Sequence, residues 1–414
     1  MSEALKPEIN PYDIPLEDFD VSDATLFQND NHWGYFERLR REAPVHYCKD
    51  SHFGPYWSVT KFNDIMEVEK NHQVFSSEGG ITLAERAKNF QTVNFISLDP
   101  PRHDIQRKAV TGVVAPMNLA KLEPIIRERA VTILDSLPIG EEFDWVDQVS
   151  IELTTQMLAI LFDFPFEERR KLTYWSDMAT SGALAGGPTP EPVRQAALME
   201  CLDVFTGLWN ERVNRDPSES FDLITMMAHN PNTQDMDPME YLGNLILLIV
   251  GGNDTTRNSI SGGVYFMNQF PDEFEKVKRD RTLIPTMVPE IIRYQTPLAY
   301  MRRVATQDYV LNGQQIRAGD KLAMWYVSGN RDEDVIDKPH EFIIDRDKPR
   351  HHLSFGFGIH RCMGNRLAEM QLRIIWEEIL NRFEHIEVVA EPERIQSSFV
   401  KGYSTLPVVL KARG

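Results

Sequence analysis

Apolar residues in this chain recur mainly at helical spacing. Over 33–41, 62–69, 122–137, 149–162, 167–183 and 191–214 they fall three and four apart with charges between them. That is the pattern of helices that bury one face. Alternation of the strand type is confined to short runs. These are 45–47 and 56–59 beside a Gly-Pro turn, 310–316 around Asn312-Gly313, then 321–327, 386–389 and 406–410, with a turn at 397–400. The pattern predicts a mainly α fold, one large helical domain with small β-sheets. Residues 1–25 are polar and broken by prolines and read as an extended arm, leaving 26–414 as a single domain. Residues 76–95 read as a long loop with apolar members, Val93 among them, and loops of that length in compact domains are commonly functional. A Gly/Pro connection at 186–190 joins two helices, which suits a lid over a pocket or a passive surface hairpin equally.

Two stretches depart from simple periodicity. Leu242, Leu245, Ile246, Leu247, Leu248, Ile249 and Val250 are apolar nearly all round, the mark of a buried helix. Gly251-Gly252-Asn253-Asp254-Thr255-Thr256 follows, weak helix formers that together cost on the order of 4 kcal/mol relative to alanine. Apolar residues resume at Ile260, Val264 and Phe266, so the segment is interior rather than a helix end. Glycine there opens room beside a ligand, and a threonine that bonds back to the preceding turn can bend the helix.

The second stretch is 352–371. Glycines at 356, 358 and 364 surround one cysteine, Cys362, and a helix begins near Asn365. A cysteine at a helix N-terminus is favoured as thiolate. Zinc would need further ligands, and no Cys-x-x-Cys or paired His–Cys spacing is present. One thiolate without protein co-ligands fits a haem iron; a buried structural cysteine is the plainer alternative.

The spacing Phe-Gly-x-Gly-x-His-x-Cys-x-Gly from Phe355 to Gly364 resembles the haem-thiolate loop of the cytochrome P-450 family at every defining position. Three further landmarks appear in the family's order. Asp-Pro-Pro-x-His-x-x-x-Arg at 99–107 is similar to the segment whose His103 and Arg107 would meet the haem propionates. Gly-Gly-x-Asp-Thr-Thr at 251–256 is similar to the distal helix, where Gly251 would face the haem and Asp254 and Thr255 would relay protons. Glu-x-x-Arg at Glu290 and Arg293 would join Arg346 in a structural network. The resemblance also implies that Arg303, rather than its neighbour Arg302, reaches a propionate. Phe355, Gly356 and His360 would then lie in the haem-binding loop. The implied cofactor is haem b, iron protoporphyrin IX, with Cys362 as axial ligand, and the implied activity is O2-dependent hydroxylation.

Composition narrows this. Across 414 residues the formal charge is −18, which argues against a nucleic-acid partner. Three scattered cysteines fit a reducing cytosol, and the N-terminus shows no signal or membrane anchor, so the expected location is cytoplasmic. No dinucleotide fingerprint follows Cys362, so electrons are expected from a 2Fe-2S ferredoxin and its reductase. Lys108, Arg350, His351, His352, Arg361, Arg366 and Arg373 form a candidate docking patch. Residues 248–259 and 357–371 are most similar to the soluble alkane ω-hydroxylase group. The implied substrate is a small apolar one, a medium-chain alkane, alcohol or fatty acid, in a pocket of Val93, Leu248, Leu298 and Phe399. Steroid or terpene hydroxylation, a peroxide-driven peroxygenase and a haem sensor are the alternatives.

Overall fold

The structure is a computed structural model that describes residues 10–85, 89–182 and 186–413. Its centre is one helix, Pro238–Gln269, capped at its start by the Asp237 side chain on the Met239 N–H. This helix runs unbroken through the weak formers at 251–256. The local cost is met by packing: helices Glu152–Phe162, Arg170–Thr180, Glu191–Arg212, Ile284–Gln295 and Asn365–Arg382 all pack against it. Several of its buried polar residues meet partners on neighbouring elements. Thr154 donates to Asn253 Oδ1 at 2.9 Å, Ser261 meets Ser150 at 2.8 Å, and Asn258 accepts the Tyr403 N–H at 3.0 Å.

Sheets lie to one side. Strands Val45–Cys48, Tyr56–Val59, Lys321–Met324, Met301–Ala305 and Phe75–Ser76 form the largest, in that order. All neighbours are antiparallel except Tyr56–Val59 with Lys321–Met324. Pro407–Ala412 is the centre of a three-stranded sheet between Glu142–Asp144 and Phe383–Val388. The Asn312-Gly313 turn has positive φ at both residues, +46° and +78°, as a tight hairpin requires.

Several boundaries differ from the sequence pattern. The helix expected over 167–183 starts as a 3-10 turn and spans Arg170–Thr180, and Ala183 lies outside the described residues. The strand expected over 321–327 ends at Met324, where the chain turns into the short helix Tyr326–Gly329. Residues 1–9 of the expected arm also lie outside the described residues. The remainder is docked, not draped: Phe19 and Val21 are buried, and Ala24–Gln28 is helical. A few large apolar side chains among the acids suffice to hold it.

Candidate active site

The loop before helix Asn365–Arg382 is closed on itself. The Cys362 N–H donates to the Phe355 carbonyl at 2.8 Å, and the Gly356 N–H to the Leu353 carbonyl at 2.7 Å. Gly356 and Gly358 have φ of +63° and +70°, and a Cβ on Gly358 would strike the Glu69 carbonyl. Both positions therefore require glycine. The loop is fastened from outside by Glu69, which sequence reading missed. Its buried carboxylate accepts the Phe357 N–H at 2.6 Å and the Tyr326 hydroxyl, and it faces Arg303 at 3.9 Å. Burial pushes the Glu69 carboxyl up, while Arg303, the Tyr326 hydroxyl and the Phe357 N–H oppose the shift.

Cys362 is ringed by protein yet its residue surface is accessible, so it faces an internal opening. Burial pushes its thiol above the ordinary range. The N–H groups of Gly364 and Asn365, with Arg107 and Arg361, pull the other way. A thiolate here gains from a cation at the sulfur.

His103 and His360 stand beside the loop with ring centroids 4.3 Å apart. His103 Nδ1 meets Asp104 at 2.7 Å and His360 Nε2 meets Ser77 at 2.9 Å. The other ring nitrogens, His103 Nε2 and His360 Nδ1, are buried without partners among the described residues. Burial lowers both rings, His360 to about 2, so they are neutral. Arg107 donates to the Arg361 carbonyl at 2.5 Å. Strand alternation separates the two candidate arginines. Arg303 looks toward Glu69 and His360, whereas Arg302 reaches the Glu78 carbonyl and Glu85, both at 3.4 Å.

The long helix presents its residues to two sides. Gly251 is exposed, with nothing within 4 Å of where its Cβ would be, and half-buried Thr255 donates to the Gly251 carbonyl at 2.9 Å. Asp254 turns inward and is fully buried. It accepts from Ser176 at 3.0 Å, Thr180 at 3.3 Å and Asn253 at 3.0 Å, and pairs with Arg257 at 3.1 Å. Burial raises its carboxyl, with Arg257 opposing. Gly252 serves packing instead of ligand space: its Cβ would lie 2.8 Å from Leu158.

Among the pocket residues, Val93, Leu248 and Leu298 are half-buried. Leu298 is bridged to Val400, and the Phe399 ring packs on Tyr300 at 5.5 Å. The network expected at Glu290 is formed. Arg293 makes a two-pronged pair with it at 2.7 and 2.8 Å, and Arg346 Nε reaches both oxygens at 3.0 Å. Arg293 also binds the carbonyls of Asn330, Pro339 and Glu341 at 2.8, 2.9 and 3.1 Å. That tie from helix Ile284–Gln295 to the irregular chain before Cys362 satisfies a fully buried carboxylate.

An accessible sulfur, unpartnered imidazole nitrogens and buried arginines suit an iron porphyrin with anionic side arms. The comparisons agree. The cytochrome P450 family model matches residues 195–408. The chain is 34% identical to the linalool 8-monooxygenase of Pseudomonas putida over 413 residues, covering 95% of this chain and 99% of that one. It is 28% identical to a methyl-branched lipid omega-hydroxylase of Mycobacterium tuberculosis, covering 99% of each. It superposes on CYP153D17 from Sphingomonas sp. PAMC 26605 with a TM-score of 0.90 at 48% identity, covering 96% of this chain and 100% of that one.

The chain belongs to the cytochrome P450 family and is a haem-thiolate monooxygenase. Its cofactor is haem with the Cys362 thiolate as axial ligand; when bound, the haem supplies O2 activation at a thiolate-ligated iron. No helix among the described residues is long and apolar enough to cross a membrane.

Proposed function

We propose that this P450 hydroxylates the terminal carbon of medium-chain alkanes, alcohols or fatty acids. The observation that carries the reading is the aliphatic character of three half-buried residues of the expected pocket. Val93, Leu248 and Leu298 bring no charge, and the Val93 carbonyl rests where a Gly243 Cβ would be, which seats the 76–95 loop on that helix. An uncharged aliphatic wall favours a linear apolar chain presented end-on. The similarity of 248–259 and 357–371 to the alkane ω-hydroxylase group supports this, as does the omega-hydroxylase named among the relatives. A terpene reading is favoured by the 34% identity with linalool 8-monooxygenase.

In this proposal His103, Arg107, Arg303 and His360 hold the propionates. Asp254 and Thr255 supply the protons that dioxygen reduction consumes. Electrons come from a 2Fe-2S ferredoxin served by a reductase.

The test is a panel of alkanes, fatty acids, terpenes and steroids scored by substrate-induced spectral shift and by product regiochemistry. Terminal alcohols from linear substrates are expected, with Leu298→Ala moving oxidation inward. Tight binding of terpenes or steroids and none of linear chains would overturn the reading.

A further inference from the structure

A cleft of about 250 Å3 is lined by none of the residues of the candidate active site. It opens between helix Trp33–Glu42, the C-terminal end of Pro238–Gln269, the end of helix Ile284–Gln295 and the chain around 394–403. Exposed Gln269 and His340 stand at its mouth. Buried Arg331, Phe266 and Tyr403 form its floor.

The floor has unspent positive charge. Arg331 is 3% exposed and has no carboxylate partner among the described residues; its Nη2 donates to the Tyr294 carbonyl at 3.0 Å, while its Nη1 is buried without a partner among them. The guanidinium lies over the Tyr294 ring at 3.9 Å and the Trp33 ring at 4.9 Å. Lys401 Nζ also lies over the Trp33 ring, at 5.3 Å, and donates to the Gln295 carbonyl at 3.0 Å. A third cation, Arg394, meets Asp30 and the Tyr265 hydroxyl, both at 3.4 Å. Asp30 is the one carboxylate lining the cleft among the described residues, and it is already engaged by Arg394 and by the Trp33 indole at 3.0 Å. Burial lowers Arg331 to about 9 and Lys401 to about 8, as expected where cations outnumber their counter-ions. Leaving a guanidinium N–H unpaired in a protein interior is costly, and such groups ordinarily meet an anion.

We propose that this cleft binds a small organic anion, a carboxylate carried on a flat apolar body. The free Nη1 of Arg331 and the ammonium of Lys401 are two cationic donors, which match the two oxygens of a carboxylate. A third anionic oxygen, as in phosphate, would be left against the rings. Trp33, Tyr294, Phe266 and Tyr403 supply faces for a planar body.

The experiment uses the haem-loaded enzyme and sodium benzoate as probe, with sodium phosphate and sodium chloride at matched ionic strength. Binding is read by titration calorimetry and thermal midpoint, with the Soret band followed throughout. Benzoate at a hundredfold excess over its Kd is expected to raise the midpoint by about 2 °C or more without moving the Soret band. Lys401→Met and Arg331→Met should each weaken benzoate at least tenfold. Lys401→Met carries the test if the Arg331 variant does not fold, since its folding is verified by the carbon monoxide spectrum. Absence of binding, equal stabilisation by phosphate or chloride, or binding that Lys401→Met leaves intact would each overturn the proposal.

Discussion

Asp254 and Arg257 form an ion pair of 3.1 Å, one turn apart on the long helix, and both are buried. Arg257 is held in turn by Asp177 at 3.0 Å on helix Arg170–Thr180. Asp254 also takes hydroxyl donors from Ser176 and Thr180 on that helix. The acid therefore sits in a polar seam between two helices, while its neighbour Thr255 faces the open side beside Gly251. A proton passing from the seam to the open side would have to cross the helix surface by rotation of the acid or through water.

Asp254→Asn retains an acceptor for Ser176 and leaves Arg257 paired with Asp177. It removes the only change of protonation at that point. Product formation is expected to fall about a hundredfold, within the range for lost general acid–base catalysis, with the carbon monoxide spectrum unchanged. Thr255→Ala should instead keep electron consumption and divert it to hydrogen peroxide, because the hydroxyl ordering the open side is lost. Product per NADH separates the two variants, and unchanged coupling in Thr255→Ala would remove it from the relay.

Glu69 yields a second prediction. Glu69→Gln leaves one of the Phe357 and Tyr326 donors unmatched and strips Arg303 of its counter-charge. Loss of a buried charged acceptor costs about 2 kcal/mol. The loop carrying Cys362 should loosen, seen as faster haem loss to a scavenging apoglobin. A haem-loss rate equal to wild type would show that the loop holds its shape without this anchor.

Glu69 also shows what the sequence could and could not disclose. The loop 355–364, the run of weak helix formers at 251–256 and the Glu290–Arg293 spacing are local signals, because glycine, cysteine and i,i+3 pairs carry their geometry with them. Glu69 lies 288 residues from the N–H it accepts, and in the sequence it is one acid on an amphipathic helix. Arg257, Ser176 and Thr180 were hidden in the same way, since nothing local announces that two helix faces will meet. The docking patch shows the converse limit of a local reading. Proximity in sequence grouped seven basic residues, yet Arg350 pairs with Glu369 at 2.8 Å and Arg373 with Glu123 at 2.7 Å. His352 is pushed to about 3 by burial and is neutral.

His32 gives a pH prediction away from the haem. It is fully buried against Phe27, with ring centroids 4.5 Å apart. Burial lowers it to about 3 despite Asp30 nearby. The unfolded chain takes up this proton near pH 6.5 and the folded chain does not. Stability from this residue is thus present above about pH 6.5 and is lost progressively as pH falls toward about 3. Between pH 7.5 and 5.5 the loss is about 1.4 kcal/mol. His32→Phe, which keeps the ring stack, should reduce the acid-induced loss of unfolding free energy, measured by urea titration, by that amount. Equal sensitivity in both proteins would show that His32 is charged in the fold.

The electron partner is the last prediction. Among the residues of the patch, Lys108, Arg361 and Arg366 are exposed, and no ion pair engages them among the described residues. Arg361 adjoins Cys362 directly, and Arg107 ties its backbone carbonyl to helix Arg102–Thr111. Against a net charge of −18, an acidic ferredoxin would be repelled at long range. For the ferredoxin proposed above, local attraction at these three side chains is expected to set the encounter, and exposed charges act within a Debye length of about 8 Å at physiological salt. Arg361→Glu and Arg366→Glu should each slow haem reduction by the ferredoxin about tenfold at low salt, with substrate spectral shifts unchanged. The same reversal at Arg373, already paired with Glu123 and Glu377, should have a smaller effect on rate. Stopped-flow reduction across a salt series decides the matter. Rates indifferent to salt and to Arg361→Glu and Arg366→Glu would place the ferredoxin on another face.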